Sequence, residues 1–328
     1  MQIAISASIA TDHLMRFPGR FRDSLVDGKL DHISLSFLVD ELEIRRGGVG
    51  GNIAFGMGVL GGRPLLVGAA GLDFADYRSW LERHNVDTTS VLISEFRHTA
   101  RFICTTDADQ NQWATFYAGA MTESRDIELQ PIVDRVGGLD LVLIGPNDPE
   151  AMLRQTDECR FRGIPFAADP SQQLARMDGE DIRLLVDGAR FLFTNEYEAS
   201  LIEQKTGWSS DDILDRVDVR ITTLGAKGSR IESRSFAPMH VDVPREEQII
   251  DPTGVGDAFR AGFLCAYSWG LSYERCAQVG SLLATYAIET VGPQEYEVSQ
   301  RRFVERLRDA YGETAVAEVE PHLRCSRP

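Results

Sequence analysis

Short apolar runs rich in β-formers alternate along this chain with segments of helical period, and that alternation leaves few folds open. "IAISASI", "PLLVGAA", "LDLVLIG", "IPFAADP", "ARFLFTN" and "DVRITTL" are interleaved with "NIAFGMGVL", "DYRSWLERHNV", "PEAMLRQTDECRFRG" and "EYEASLIEQKTG". Strand and helix in turn mean βαβ units, hence a mostly parallel sheet with helices on both faces, an α/β/α sandwich. Two segments break the rhythm: 30–45 and 97–118 read as strands without intervening helices, the second pair joined by a polar turn at Asp107 to Asn111. They predict a small antiparallel sheet standing off the main body as a lid over 12–46 and 97–118, with 1–11, 47–96 and 119–328 forming the large domain. A further strand is expected to end at Ile250, and the tail from Ser299 reads as a charged helix.

With 328 residues, 43% of them hydrophobic, the chain can bury a large core. Its formal net charge of -16 argues against a phosphate-backbone partner, so no nucleic acid is expected. The start lacks a basic region followed by a signal-length apolar run, and no later segment reaches membrane length, which predicts a cytoplasmic protein with no membrane partner. Five scattered cysteines, with neither C-x-x-C nor histidines at ligand spacing, read as reduced packing residues.

The stretch "DPTGVGDAFRAGF", Asp251 to Phe263, carries the chemistry. A glycine turn opens a helix whose apolar positions Phe259, Phe263, Ala266 and Tyr267 recur at helical spacing. The amides of Gly254, Val255 and Gly256 then stand at a helix N-terminus, where they can hold anionic oxygen. Asp257 lies in the first turn, beside those donors. An anion hole next to a carboxylate suits phosphoryl transfer to an alcohol. The same residues also read as a plain turn and a helix-terminal carboxylate.

Competing motifs fall away on context. "GMGVLG", Gly56 to Gly61, fits G-x-G-x-x-G but lies inside a predicted helix, so it reads as close helix packing. No G-x-x-x-x-G-K-[ST] occurs, and the histidines show no zinc-binding pairing.

"DPTGVGDAFRAGF" resembles the C-terminal signature of the ribokinase (PfkB) family of sugar and nucleoside kinases, and "RGGVGGNIAFGMGVLGG", Arg46 to Gly62, resembles its N-terminal one. Between them "TNEYE" carries the N-x-x-E element, and "TTLGAKG", Thr222 to Gly228, is similar to the nucleotide-binding turn. Val255 stands where alanine is common and Pro252 where threonine is common. The resemblance implies a ribokinase-like fold, with Asp257 as general base and Gly254, Val255 and Gly256 around the transferring phosphate. It further implies Mg2+ steered through water by Asn195 and Glu198, and ATP lined by Asn195, Thr223, Gly225, Gly228 and Gly256. Activation by K+, with contacts beginning at Asp251 and Thr253, belongs to the same set of expectations.

Substrate choice rests on further residues. Asp12 can accept from two adjacent hydroxyls, and Gly48 and Asn52 complete a sugar site. Phe102 and Phe116 face each other across the lid hairpin, placed either to stack on a base or to pack the lid. Gln172 and Gln173 of "ADPSQQLAR" can meet a purine edge, and Arg176 can meet phosphate charge, though each is also an ordinary surface residue type. Together these are similar to adenosine kinases of the actinobacterial type, a resemblance that adds Ser8 and Ser36 to the nucleoside contacts. It implies transfer of the ATP γ-phosphate to the 5'-hydroxyl of adenosine, giving AMP and ADP in purine salvage. A sugar kinase of the ribose or fructose type, and a binder without catalysis, are the alternatives. Exposed lid edges point to a homodimer.

Overall fold

The computed structural model describes residues 1–24 and 35–325. Strands run in the order β1 (Ile3–Ser6), β2 (Ala10–Arg16), β3 (Glu41–Gly47), β4 (Leu65–Ala70), β5 (Val91–Ile93), β6 (Ala100–Thr106), β7 (Gln112–Tyr117), β8 (Leu141–Ile144), β9 (Phe166–Ala168), β10 (Phe191–Asn195), β11 (Val219–Thr223), β12 (Ser229–Ser233) and β13 (Phe236–Val241). The helices are α1 (Phe21–Ser24), α2 (Val49–Val59), α3 (Ala75–Arg83), α4 (Gln130–Val136), α5 (Pro149–Arg162), α6 (Gly179–Val186), α7 (Glu196–Thr206), α8 (Ser210–Leu214), α9 (Val255–Ser268), α10 (Tyr273–Ile288) and α11 (Gln300–Val319).

A nine-stranded sheet has the order β13-β12-β11-β10-β9-β8-β1-β4-β5, parallel from β11 to β5, with β12 and β13 added antiparallel at one edge. Successive residues of a strand point to opposite faces, and both faces are buried here. Ile3, Ile5, Leu141, Leu143, Phe191 and Phe193 pack into one core with α2, α9 and α10. Ala4, Val142, Ile144 and Leu192 pack into a second core with α5, α6 and α7. Each apolar run named from the sequence is a strand, and the fold is the ribokinase-like sandwich expected. Gly56 of "GMGVLG" allows α2 to pack closely on α9, since a Cβ there would lie 2.6 Å from Cβ of Ala261.

The small sheet has the order β3-β2-β6-β7. Two features differ from the sequence expectation. It is mixed, because β2 pairs β6 in parallel while β2–β3 and β6–β7 are antiparallel. Of the strand expected over 30–45, residues 30–34 lie outside the described residues, 35–40 carry no strand, and β3 begins at Glu41. Asp12 lies within β2, paired with Arg45 and Phe102. The turn at Asp107 is as expected, its carboxylate accepting from the amides of Asp109 and Asn111 at 2.9 and 2.8 Å.

No strand ends at Ile250. Ile249 and Ile250 are exposed, and Ile250 instead donates its amide to Ile288 O at the end of α10. The cysteines are free, four of them buried. No helix among the described residues is long and apolar enough to cross a membrane.

Candidate active site

The carboxyl ends of the parallel strands open along one edge of the large sheet, where loops and helix N-termini converge in folds of this type. The small sheet stands over that edge, and the pleat sorts its side chains. Asp12, Arg45, Phe102 and Phe116 share a row and a face, with Phe102 directly opposite Phe116.

That face closes a cavity of about 390 Å3. Ser8, Asp12, Gly48, Asn52, Phe102, Phe116, Gln172, Gln173 and Arg176 all line it. Ser36 does not; it is exposed on the segment ahead of β3. Burial pushes the Asp12 carboxyl up to about 6 against the pull of Arg45. Gln173 is buried and donates Nε2 to Asn147 O at 2.6 Å, which leaves its Oε1 without a partner. A buried acceptor is thereby offered to a ligand that can donate.

Asn52 lines the cavity and donates Nδ2 to Asp257 Oδ2 at 2.8 Å, so it touches the carboxylate as well as the sugar position predicted for it. Asp257 sits in the first turn of α9 behind Gly254, whose φ of 77° is left-handed. The amides of Gly254 and Gly256 have no protein acceptor among the described residues, whereas that of Val255 leans on Pro252 O at 3.4 Å. The two glycine amides are therefore freer than that of Val255 to meet an anionic oxygen. Burial pushes the Asp257 carboxyl up to about 6, opposed by the Asn52 hydrogen bond and Arg260 and reinforced by Asp169 and Glu198.

Behind this first turn lies a charge network that sequence reading did not single out. Buried Arg260 pairs with buried Asp169 through Nε–Oδ2 and Nη2–Oδ1, both 2.6 Å, and donates Nη1 to Gly256 O at 3.1 Å. It also stands 3.9 Å from Glu198. An arginine set between Phe259 and Phe263 was the available signal.

Asn195 caps α7, taking the Glu198 amide at 2.8 Å while Glu198 Oε2 takes the Asn195 amide at 2.9 Å. Oε1 of Glu198 has no hydrogen-bond partner among the described residues. One free carboxylate oxygen suits a Mg2+ that keeps its water shell, and no cluster of three or more acidic, histidine or cysteine ligands occurs among the described residues. Thr223 pairs with Asn195 across β10 and β11, and Gly225 and Gly228 close the turn that follows. Asp251 is already engaged: Oδ1 accepts from Thr253 N at 2.9 Å, and Oδ2 from Gly292 N at 3.0 Å and from Arg45 at 3.3 Å. With a guanidinium seated on that carboxylate, Asp251 and Thr253 do not fit a bound K+.

The sequence pattern of the pfkB family carbohydrate kinases matches residues 13–300. The chain belongs to that family. A nucleoside kinase of Methanocaldococcus jannaschii is 30% identical over 265 residues, 80% of this chain and 85% of that protein. A nucleoside kinase of Methanothermobacter thermautotrophicus is 30% identical over 269 residues, 81% and 85% of the two chains. Among solved structures, the Burkholderia thailandensis nucleoside kinase in complex with inosine superposes with a TM-score of 0.83 at 33% identity, covering 95% of this pfkB-family chain and 99% of that one. Ribokinase of Cryptococcus neoformans, at 20% identity and a TM-score of 0.77, shares the fold.

Proposed function

We propose that this pfkB-family kinase phosphorylates purine nucleosides on the ribose 5'-hydroxyl, with adenosine as acceptor and ATP as donor, yielding AMP and ADP. The observation that carries the proposal is the single cavity in which Asp12, Phe102, Phe116 and the unpartnered Oε1 of Gln173 meet Asn52, itself bonded to Asp257. Asp12 accepts from the ribose diol, the two aromatic rings stack on the base, and Gln173 accepts from a purine N–H. A plain sugar would leave the rings and Gln173 without a role. The inosine complex of the Burkholderia kinase favours inosine as a second acceptor, since its N1–H can also donate to Gln173.

In the transfer, the 5'-oxygen attacks the γ-phosphorus as its proton passes to Asp257. The bond from phosphorus to the β,γ-bridging oxygen breaks, and its electron pair leaves with ADP. The Gly254 and Gly256 amides take the charge on the phosphoryl oxygens, with Val255 a lesser donor. Asn195 and Glu198 would hold Mg2+ through water, and the ion would supply neutralising charge to the phosphates. Thr223, Gly225 and Gly228 line ATP. Arg176, exposed at the cavity rim, is the cationic contact for the nucleotide. The enzyme works as a cytoplasmic homodimer joined through the small sheet.

The test is ADP release from Mg-ATP with adenosine, inosine, guanosine, ribose and fructose at matched concentrations. Adenosine is expected to lead, and a sugar ahead of every nucleoside would overturn the substrate assignment. Asp257→Asn is expected to abolish turnover while nucleoside affinity stays within about tenfold, because a base acts on the chemical step.

A further inference from the structure

A buried hydrogen-bonded chain runs from Asp257 to the point where the small sheet joins the large domain. Asn52 donates Nδ2 to Asp257 at 2.8 Å, and its Oδ1 accepts Nε2 of Gln294 at 2.8 Å. The same Nε2 donates its other hydrogen to the Tyr77 hydroxyl at 2.5 Å, and Tyr77 donates to Gly47 O at 2.8 Å. Asn52, Tyr77 and Gln294 are each buried, and Gly47 is the last residue of β3, next to Gly48 at the head of α2.

The direction of every bond is fixed. Tyr77 must donate, because a carbonyl only accepts, so its hydroxyl accepts from Gln294; Gln294 thereby spends both amide hydrogens and orients Asn52 with its NH2 toward Asp257. We propose that Gln294 and Tyr77 are positioning residues for the phosphoryl-transfer step, locking the Asn52 amide that aims Asp257 and tying that aim to the return strand of the small sheet. It rests on Asp257 being the base proposed above. The network is buried and polar, so losing one member leaves the others without partners. The charged and titratable groups around Asp257 are Arg260 on the same helix, Asp169 after β9, Glu198 on α7, and the phenols of Tyr77 and Tyr296. Of these only the Tyr77 phenol touches Gln294, and burial keeps that phenol neutral.

The experiment compares wild type, Gln294→Met, Tyr77→Phe and the double variant by kcat, KM and the pH profile of kcat. Gln294→Met keeps the volume and removes the donors. It is expected to lower kcat about tenfold or more with both KM values within about threefold. The acid limb should move to higher pH, because a loosened Asn52 no longer holds the carboxyl down. Tyr77→Phe should lose less, and the double variant should be no worse than Gln294→Met, since both act through Asn52. Unchanged kcat and acid limb in folded single variants, or additive losses in the double, would overturn the proposal. Should Gln294→Met not fold, Tyr77→Phe decides alone: a displaced acid limb supports the inference and an unmoved one removes it. A wild type that phosphorylates no nucleoside and no sugar removes the Asp257 assignment too, whereas an active wild type with unaltered variants removes only this inference.

Discussion

Asp257 carries its charge in surroundings that oppose it. Its carboxyl stands at about 6 in the folded chain against an ordinary 3.8, burial being the largest cause. Between those values the folded state binds more protons than the unfolded one, so the group favours folding most below about pH 4 and that contribution is lost as pH rises through about 6. The displacement corresponds to at most about 3 kcal/mol, and the opening of the site to solvent lowers the figure. Asp257→Asn is therefore expected to melt at a higher temperature than wild type at pH 8, with the gain shrinking toward pH 4.5; an equal or lower melting temperature at pH 8 would show that the charge is not opposed. Stability given up at a catalytic carboxylate is a common trade. Asp257 was legible because it follows glycines at a helix start. Gln294 was not, since a glutamine in a loop looks the same whether it faces solvent or holds Asn52, and nothing in the helical run of α3 sets Tyr77 apart. Their partners lie 242 and 30 residues away, a separation that no local pattern carries.

At the scale of elements, the turn into α9 does what its glycines allow. Gly254 holds a φ of 77°, and a Cβ there would lie 2.5 Å from Cβ of Pro293. A side chain in the left-handed region costs about 1–2 kcal/mol before any clash is counted. Gly254→Ala is thus expected to move the first turn of α9 and lower kcat by about tenfold or more, while Asp12 and the aromatic pair keep nucleoside affinity within about threefold. Turnover at the wild-type rate would show that the glycine serves the turn and not the phosphate. The same physics decided which elements could be read in advance. β1, β4, β8 and β10 are sandwiched between two cores, so their sequences are continuously apolar and hard to mistake. β2, "ATDHLMR", is half-buried and mixes charge with apolar residues because one face looks into a polar cavity, so its pattern gave no strand signal. "EEQII" before the turn has β-forming residues without burial, and the chain runs there without a partner strand.

Across the whole molecule, the small sheet has two unlike faces. One row points Asp12, Arg45, Phe102 and Phe116 toward the cavity and the turn ahead of α9. The opposite face presents Leu42 and Ile44 on β3 and Trp113 and Tyr117 on β7, each more than two-fifths exposed. β3 and β7 are also the outer strands of that sheet, with no further strand paired to either among the described residues. An apolar face bounded by two free edges is the surface on which two copies can meet by a two-fold axis, each covering the other's Leu42 and Ile44. Sedimentation equilibrium is expected to give twice the 36.5 kDa chain mass, and the pair Leu42→Glu and Ile44→Glu to give a monomer at the same concentration. Because Asp257, the glycine amides of the turn into α9 and the cavity residues all come from one chain, the monomeric variant should retain turnover, with any loss confined to a raised KM from a less firmly held small sheet. A wild type that sediments as a monomer would remove the dimer, and a monomeric variant without turnover would mean that the partner chain completes the site.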